Sequence, residues 1–187
     1  MQLKNYFLLL LLVVTGCSSQ QVYDVRQERK FNTQRYLNAD SWHLQGRLVL
    51  KGDDVLTASI QWQHSKLLDK LRLAGILGLG AVLITLDASG VTLEQGRMKK
   101  RASKDIEAFI AQEVGFVVPI GALRFWVLGT PLPGEPVKLL ADGFEQLGWQ
   151  IKYKGYLQTV EGAMPYKINV TKNSLKLKLV VDQWEIE

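Results

Sequence analysis

Few residues in this chain are suited to covalent or acid–base chemistry: one cysteine, Cys17, and two histidines, His43 and His64. A single cysteine excludes an intramolecular disulfide and any metal site built from several thiolates. Neither histidine begins a metal-ligand spacing, and the pair Asp53-Asp54 lies in a predicted turn, where carboxylates are usually solvated. No phosphate loop, dinucleotide fingerprint or Gly-x-Ser-x-Gly motif occurs. The sequence therefore favours a protein that is not an enzyme and uses no metal or cofactor.

The position of Cys17 gives its thiol a different use. Lys4 precedes an apolar run over residues 6–14, and Thr15-Gly16-Cys17 follows. A cation, a short apolar segment and small residues before a cleavage site are typical of a secretory signal peptide. The run is too short to cross a bilayer comfortably as a permanent helix. Val14-Thr15-Gly16-Cys17 also resembles the lipobox of bacterial lipoproteins.

That resemblance implies a lipid anchor on Cys17. The thiol would receive a diacylglycerol, the chain would be cut before it, and the new amino terminus would be acylated. Several acyl chains anchor a protein almost permanently, at about 0.8 kcal/mol per buried CH₂. Ser18 is not the aspartate that typically retains lipoproteins in the inner membrane, so the predicted location is the periplasmic side of a Gram-negative outer membrane. The predicted organisation is a signal at 1–16, a lipidated tether at 17–21 and one domain at 22–187.

Composition agrees with one folded domain. The chain has 187 residues, of which 47% are hydrophobic, a normal fraction for a globular protein. Its formal net charge of +5 is modest and does not indicate a nucleic-acid-binding protein. We expect a monomer.

Most of the predicted domain alternates between apolar and polar residues, which is the pattern of half-buried strands. The alternating segments are 44–51, 56–63, 70–73, 82–86, 91–93, 149–154, 166–171 and 175–181. Turns are predicted at 52–54 and 87–90. A helix is predicted over 22–38.

Two short helices are predicted in the middle of the chain. Ser103 could cap the first, which carries Phe109 on an apolar stripe, and Pro119 begins the second, which carries Trp126 and closes at Gly129. Both are too short and too apolar to stand alone. The predicted fold is therefore mainly β (α+β): an incomplete, strongly curved antiparallel barrel, because nearly every strand has one apolar face, with the helices covering or plugging one opening.

Residues 71–86, LRLAGILGLGAVLITL, contain Arg72 as their only charge. Three glycines favour a hairpin over a membrane-spanning helix. The turn would then hold Ile76, Leu77 and Leu79, whereas turns usually hold polar residues. Either these residues fold back into the core or they form an apolar protrusion that contacts lipid.

A second unusual segment carries four cations in five residues: Arg97, Lys99, Lys100 and Arg101 around Met98. It is either a solvated strand end or an electrostatic patch for anionic headgroups or an acidic partner.

Over essentially its whole length the sequence resembles the LolB family of outer-membrane lipoproteins. The segments that carry the resemblance are 118–129, VPIGALRFWVLG; 162–165, GAMP; and 175–184, LKLKLVVDQW. The resemblance implies an apolar cavity between barrel and helices. There the protein would hold the acyl chains of lipoproteins received from the periplasmic carrier LolA, before inserting them into the outer membrane.

The family also has a functionally important leucine at the tip of an apolar loop. Leu77 matches it best, with Ile76 where the family is expected to have proline, and Leu79 is the alternative. An apolar cavity suits acyl chains, and ten residues are candidates for its lining, at least half of which could equally be ordinary core. They are Leu48, Leu50, Ile60, Trp62, Leu71, Leu73, Val82, Ile84, Phe109 and Trp126. The alternative function is a lipid-anchored structural or assembly factor of the outer membrane with a filled core.

Overall fold

A computed structural model of the chain describes residues 22–23, 40–75, 80–96, 99–114, 117–160 and 162–186. In these ranges the protein is mostly β, with 14 strands and two helices. The strands are β1 Val22–Tyr23, β2 Ser41–Lys51, β3 Val55–Ser65, β4 Leu68–Ala74, β5 Val82–Asp87, β6 Gly90–Gln95, β7 Lys99–Ser103, β8 Lys138–Leu140, β9 Gly143–Gln146, β10 Trp149–Tyr153, β11 Tyr156–Gln158, β12 Ala163–Pro165, β13 Lys167–Lys172 and β14 Leu175–Ile186. The helices are α1 Ile106–Val114 and α2 Ile120–Trp126.

Eleven strands form one antiparallel sheet in the order β7-β6-β5-β4-β3-β2-β14-β13-β10-β9-β8. Within the described ranges β7 and β8 are its two unpaired edges, so the sheet is open. β1, β11 and β12 form a separate three-stranded sheet. The predicted mainly-β antiparallel fold is confirmed.

Contacts of α2 show how strongly the large sheet curls. Arg124 of α2 contacts Asp69 on β4, and Trp126, two residues later, contacts Gln146 on β9. β4 and β9 are six strand spacings apart in the sheet order, or about 29 Å if the sheet were flat. A helix of seven residues is only about 10 Å long, so the sheet must fold around it.

A bulge and a glycine contribute to this curvature where β14 crosses β2. The register between the two strands shifts between Val181 and Gln183, and a bulge bends the strand that carries it. Gly46 lies opposite Val181. A Cβ there would lie 2.2 Å from the carbonyl oxygen of Val180, so only glycine permits this close crossing.

Two sets of turns define the ends of the sheet. At one end, the upper rim, lie residues 52–54, 96, 147–148 and 173–174, together with the ends of the β4–β5 connection, Gly75 and Gly80. At the other end, the lower rim, lie residues 66–67, 88–89 and 141–142. Both residues of the 147–148 turn have positive φ, as a two-residue hairpin turn that matches the strand twist requires.

Several local predictions need correction. Val22 and Tyr23 form a strand paired with β11 rather than the start of a helix, and residues 24–39 lie outside the described ranges. The cap of α1 is Asp105, whose Oδ1 accepts from the backbone N–H of Ala108 at 3.1 Å. Ser103 instead ends β7, and its hydroxyl accepts from the N–H of Asp105. Strands β7, β8, β9, β11 and β12 were not predicted.

Among the described residues, neither helix is long and apolar enough to cross a membrane. Both helices contribute to the core that covers the inner face of the sheet. Pro119 precedes α2, and Gly129, with φ of +85°, follows it, as predicted.

Candidate functional site

The inner face of the large sheet carries a continuous apolar surface. Cross-strand registers place Ile60 beside Leu73, Trp62 beside Leu71, and Leu71 beside Ile84. These side chains and those of α2 belong to one hydrophobic cluster. The inner face is therefore a single apolar floor that spans several strands.

All ten candidate lining residues belong to this cluster or pack against it. Leu48 and Phe109 are half-buried. The other eight are buried, and they are Leu50, Ile60, Trp62, Leu71, Leu73, Val82, Ile84 and Trp126. The structure thus brings the ten together on the inner side of the sheet.

The C-terminal end of α2 is fixed to β9 and β10 by buried hydrogen bonds. Trp126 Nε1 donates to Gln146 Oε1 at 2.9 Å, and the hydroxyl of Tyr153 donates to the Trp126 carbonyl at 2.7 Å. Gln146 also bonds both the N–H and the carbonyl of Leu132 in the loop after α2. Burial raises the pKa of the Tyr153 phenol well above its ordinary value, so the hydroxyl stays protonated and able to donate.

On the other side, α2 is held by a buried carboxylate. Asp69 of β4 is only 7% exposed and accepts from Trp62 Nε1 at 2.9 Å. His64 Nδ1 lies 2.8 Å from the same oxygen. Arg124 Nη1 reaches the second oxygen at 3.4 Å, while its Nε is buried and has no partner. α2 therefore has short bonds at its C-terminal end and one long ion pair towards β4.

Asp69 and Gln146 were missed as positioning residues, although their sequence positions held a signal. Asp69 shares its strand face with Leu71 and Leu73, and Gln146 shares its face with Phe144, because residues two apart point the same way. A polar residue at an inward position must find partners. Trp62 and His64, on the neighbouring strand, are partners of Asp69 close in sequence. The partners on α2 and the following loop are distant in sequence and so could not be named.

The described residues form open clefts on two sides of the helices. A cleft of about 640 Å³ lies towards the upper rim, between Val117, Pro119, Leu147 and Trp149 and the turn at 173–174. Another of about 570 Å³ lies towards the lower rim, between Leu68, Leu86, Ile106, Ile120 and Arg124. The apolar inner face is thus bordered at both ends by space beside α1 and α2.

Several predicted site residues lie outside the described ranges: Cys17, Ile76, Leu77, Leu79 and Arg97. The backbones of Lys99 and Lys100 and the exposed residue Arg101 belong to β7, at the edge of the sheet. Within the described part of the chain, no group of three or more His, Cys, Asp or Glu side chains is arranged to hold a metal ion.

A family model described as "Outer membrane lipoprotein LolB" matches residues 40–184. The chain belongs to the LolB family. Curated relatives include an outer-membrane lipoprotein LolB of Chromohalobacter salexigens, 31% identical over 96% of this chain and 88% of that protein. One of Nitrosococcus oceani is 30% identical over 97% of this chain and 96% of that protein.

A solved LolA superfamily protein from Nitrosomonas europaea has 10% identity and a TM-score of 0.43, covering 80% of this chain and 87% of its own. Membership of the LolB family confirms the predicted family. It also confirms the predicted class of an outer-membrane lipoprotein, with a role in lipoprotein sorting.

Proposed function

We propose that this LolB-family protein receives lipoproteins from the periplasmic carrier LolA and inserts them into the outer membrane. Their acyl chains would lie on the inner face of the sheet while in transit. The observation that carries this proposal is the apolar floor beneath α2. Among the described residues, the polar contact between α2 and β4 is one long ion pair, Arg124–Asp69. If α2 moved away from β4 while its C-terminal end stayed bound to β9 and β10, Leu71, Ile84 and their neighbours would become accessible to a ligand.

The driving force would need no covalent chemistry or nucleotide. Each CH₂ that leaves water contributes about 0.8 kcal/mol, so acyl chains move spontaneously to the site that buries them best. The receptor would bind them more tightly than the carrier does, and the membrane more tightly still. Equal affinities of carrier and receptor for one lipoprotein would contradict this order.

Transfer of a lipoprotein from LolA to the purified protein, followed by release into liposomes, tests the function directly. The site is tested in the same reaction by a photo-crosslinking side chain at Phe109, which packs against the core. We expect it to label the acyl chains. The control position, Gln61, is exposed on the outer face of β3 and should label none. Transfer without labelling at Phe109 would reject the proposed cavity.

Burial of eight of the ten lining candidates also suits the alternative, a lipid-anchored structural or assembly factor with a filled core. That protein would accept no lipoprotein from LolA, and acyl chains would not label Phe109. The crosslinking experiment therefore separates the two functions.

We also propose that Cys17 carries the lipid anchor and that Leu77 contacts lipid. The connection that holds Leu77 leaves the sheet between Gly75 and Gly80 at the upper rim. Leu77→Glu would place a charge in the lipid contact, so we expect release into liposomes to fall strongly. Uptake from LolA and the thermal unfolding transition should be nearly unchanged. Loss of the cooperative transition would instead place Leu77 in the core.

A further inference from the structure

Four lysines occupy neighbouring positions on the outer face of the sheet. Lys51 of β2 lies directly opposite Lys176 of β14, and Lys178 follows two residues later on the same face. Lys167 of β13 pairs with Val180, which is two residues beyond Lys178. All four are exposed. We call this surface the four-lysine face.

The charge of this face is not balanced by its surroundings. Asp182, the carboxylate of β14 nearest to it, is bound by Arg47 through two contacts of 2.8 and 3.3 Å. Asp53 and Asp54 lie in the turn after Lys51 but form no ion pair with it. Within the described residues, none of the four lysines has an ion-pair partner. Like charges directly opposite each other destabilise a sheet, so the pairing of Lys51 with Lys176 does not contribute to the stability of the fold.

The chemistry between the lysines favours a phospholipid surface over a protein. The side chains between the lysines are aliphatic or small and polar, and they are Val49, Asn169, Thr171 and Val180. Arg47, which is bound to Asp182, and Tyr166, whose ring centroid lies 5.6 Å from Lys167 Nζ, are at the border of the face and not at its centre. Protein interfaces are centred on aromatic residues and arginine and are depleted in lysine. Flexible ammonium groups without fixed geometry suit an array of phosphates.

The position of this surface points the same way. Val55 lies opposite Lys51 and is 61% exposed, which places an apolar side chain among the charges near the upper rim. Membership of a family of outer-membrane lipoproteins places the protein next to a bilayer. Cations with an exposed apolar neighbour are the combination that binds the boundary between headgroups and acyl chains.

We propose that the four-lysine face binds the headgroups of anionic phospholipids and so orients the protein on the membrane with this side of the sheet against the bilayer. The proposal concerns the protein without cargo. It does not depend on transfer from LolA.

The test uses the lipidated protein reconstituted in liposomes with and without phosphatidylglycerol. A fluorophore on Asn169→Cys, beside Lys178 on the face, reports contact through quenching by headgroup-labelled lipid. We expect quenching only with phosphatidylglycerol and its loss at high salt, because the screening length falls from about 10 Å at 0.1 M to about 3 Å at 1 M. Lys176→Gln/Lys178→Gln should lower the ratio of bound to detached orientations about 30-fold, the effect of two lysines at an anionic surface.

The matched control, Lys70→Gln/Lys104→Gln, removes the same charge from two exposed lysines towards the lower rim and should change that ratio less than twofold. The Lys176/Lys178 variant should unfold at the same or a higher denaturant concentration, because like-charge repulsion is relieved. Quenching that is equal with and without phosphatidylglycerol, or that is unchanged in the Lys176/Lys178 variant, would overturn the proposal. If the variant keeps its quenching but accepts less lipoprotein from LolA, the face binds a protein instead. Because the quenching assay contains neither cargo nor LolA, failure of the proposed transfer function would leave its result unchanged.

Discussion

The hydroxyl of Tyr153 helps to position α2 above the inner face of the sheet. It donates to the carbonyl of Trp126 at 2.7 Å in a fully buried setting. In Tyr153→Phe the carbonyl loses this donor, so the free energy of unfolding should fall by about 1 kcal/mol. Urea unfolding at neutral pH measures it. Tyr156→Phe, whose ring lies beside that of Tyr153, is the control, because it also removes a hydroxyl and keeps the ring, and it should change stability less. An equal loss would mean that the cost does not come from the bond to the Trp126 carbonyl.

Tyr156 gives a prediction at alkaline pH. Burial raises the pKa of its phenol to about 12, whereas the phenol of an unfolded chain ionises near pH 10. Above pH 10 the unfolded state loses its proton first and is stabilised, so the contribution present below pH 10 is lost as the pH rises to about 12. Each pH unit should cost at most about 1.4 kcal/mol through this group. Urea unfolding of Tyr156→Phe should show a shallower decline, and equal slopes would contradict the shift.

Residues differ in how far sequence alone locates them. The eight lining candidates on strands were predicted because strand alternation assigns each residue a face, and burial alternates in this way along β4 and β5. Asp69 and Gln146 lie at inward positions but are polar, and their roles depend on Arg124, Trp126 and Leu132, which only the folded chain brings near. Alternation gives a direction for a side chain but not a partner.

At the scale of elements, the prediction concerns the mobility of α2. Arg124→Gln removes the ion pair with Asp69 but leaves the bonds to Gln146 and Tyr153. Arg124 is half-exposed, so the local cost should be below about 1 kcal/mol, and backbone amides of residues 120–126 should exchange up to about fivefold faster with solvent. Hydrogen exchange measures this. Lys138→Gln, which breaks the exposed pair with Glu145, is the control and should leave these amides unchanged. Unchanged exchange in Arg124→Gln would mean that the pair does not hold α2.

Long alternating strands could be predicted, whereas short ones could not. β7 has the sequence KKRAS and β8 has only three residues, so neither carries enough apolar positions to show a period. β11 and β12 depend on pairing with each other and with β1. The predicted cap of α1 was wrong for a related reason. Ser103 and Asp105 are both good capping residues, and Asp105 is the cap because β7 extends to Ser103.

For the whole molecule, the curvature of the sheet could be predicted from the sequence, but the space left inside it for a ligand could not. The apolar face of a sheet must be covered by other elements, and the two short apolar helices are the elements available to pack against it. A filled core and a cavity give the same alternation, because the pattern states which side chains face inward and not how closely they pack. Ligand binding to the folded state is the property that separates these two interiors.

Acyl chains held against the inner face would stabilise the folded protein by mass action. A ligand at 100 times its Kd adds about 2.7 kcal/mol to the free energy of unfolding. The melting temperature should therefore rise when acylated lipoprotein is loaded from LolA, and the rise should saturate with cargo. The same lipoprotein without its acyl chains is the matched control and should cause no shift. A core already filled by its own side chains would show no shift with either form, and equal shifts with both would place the contact on the protein part of the cargo rather than on the apolar floor beneath α2.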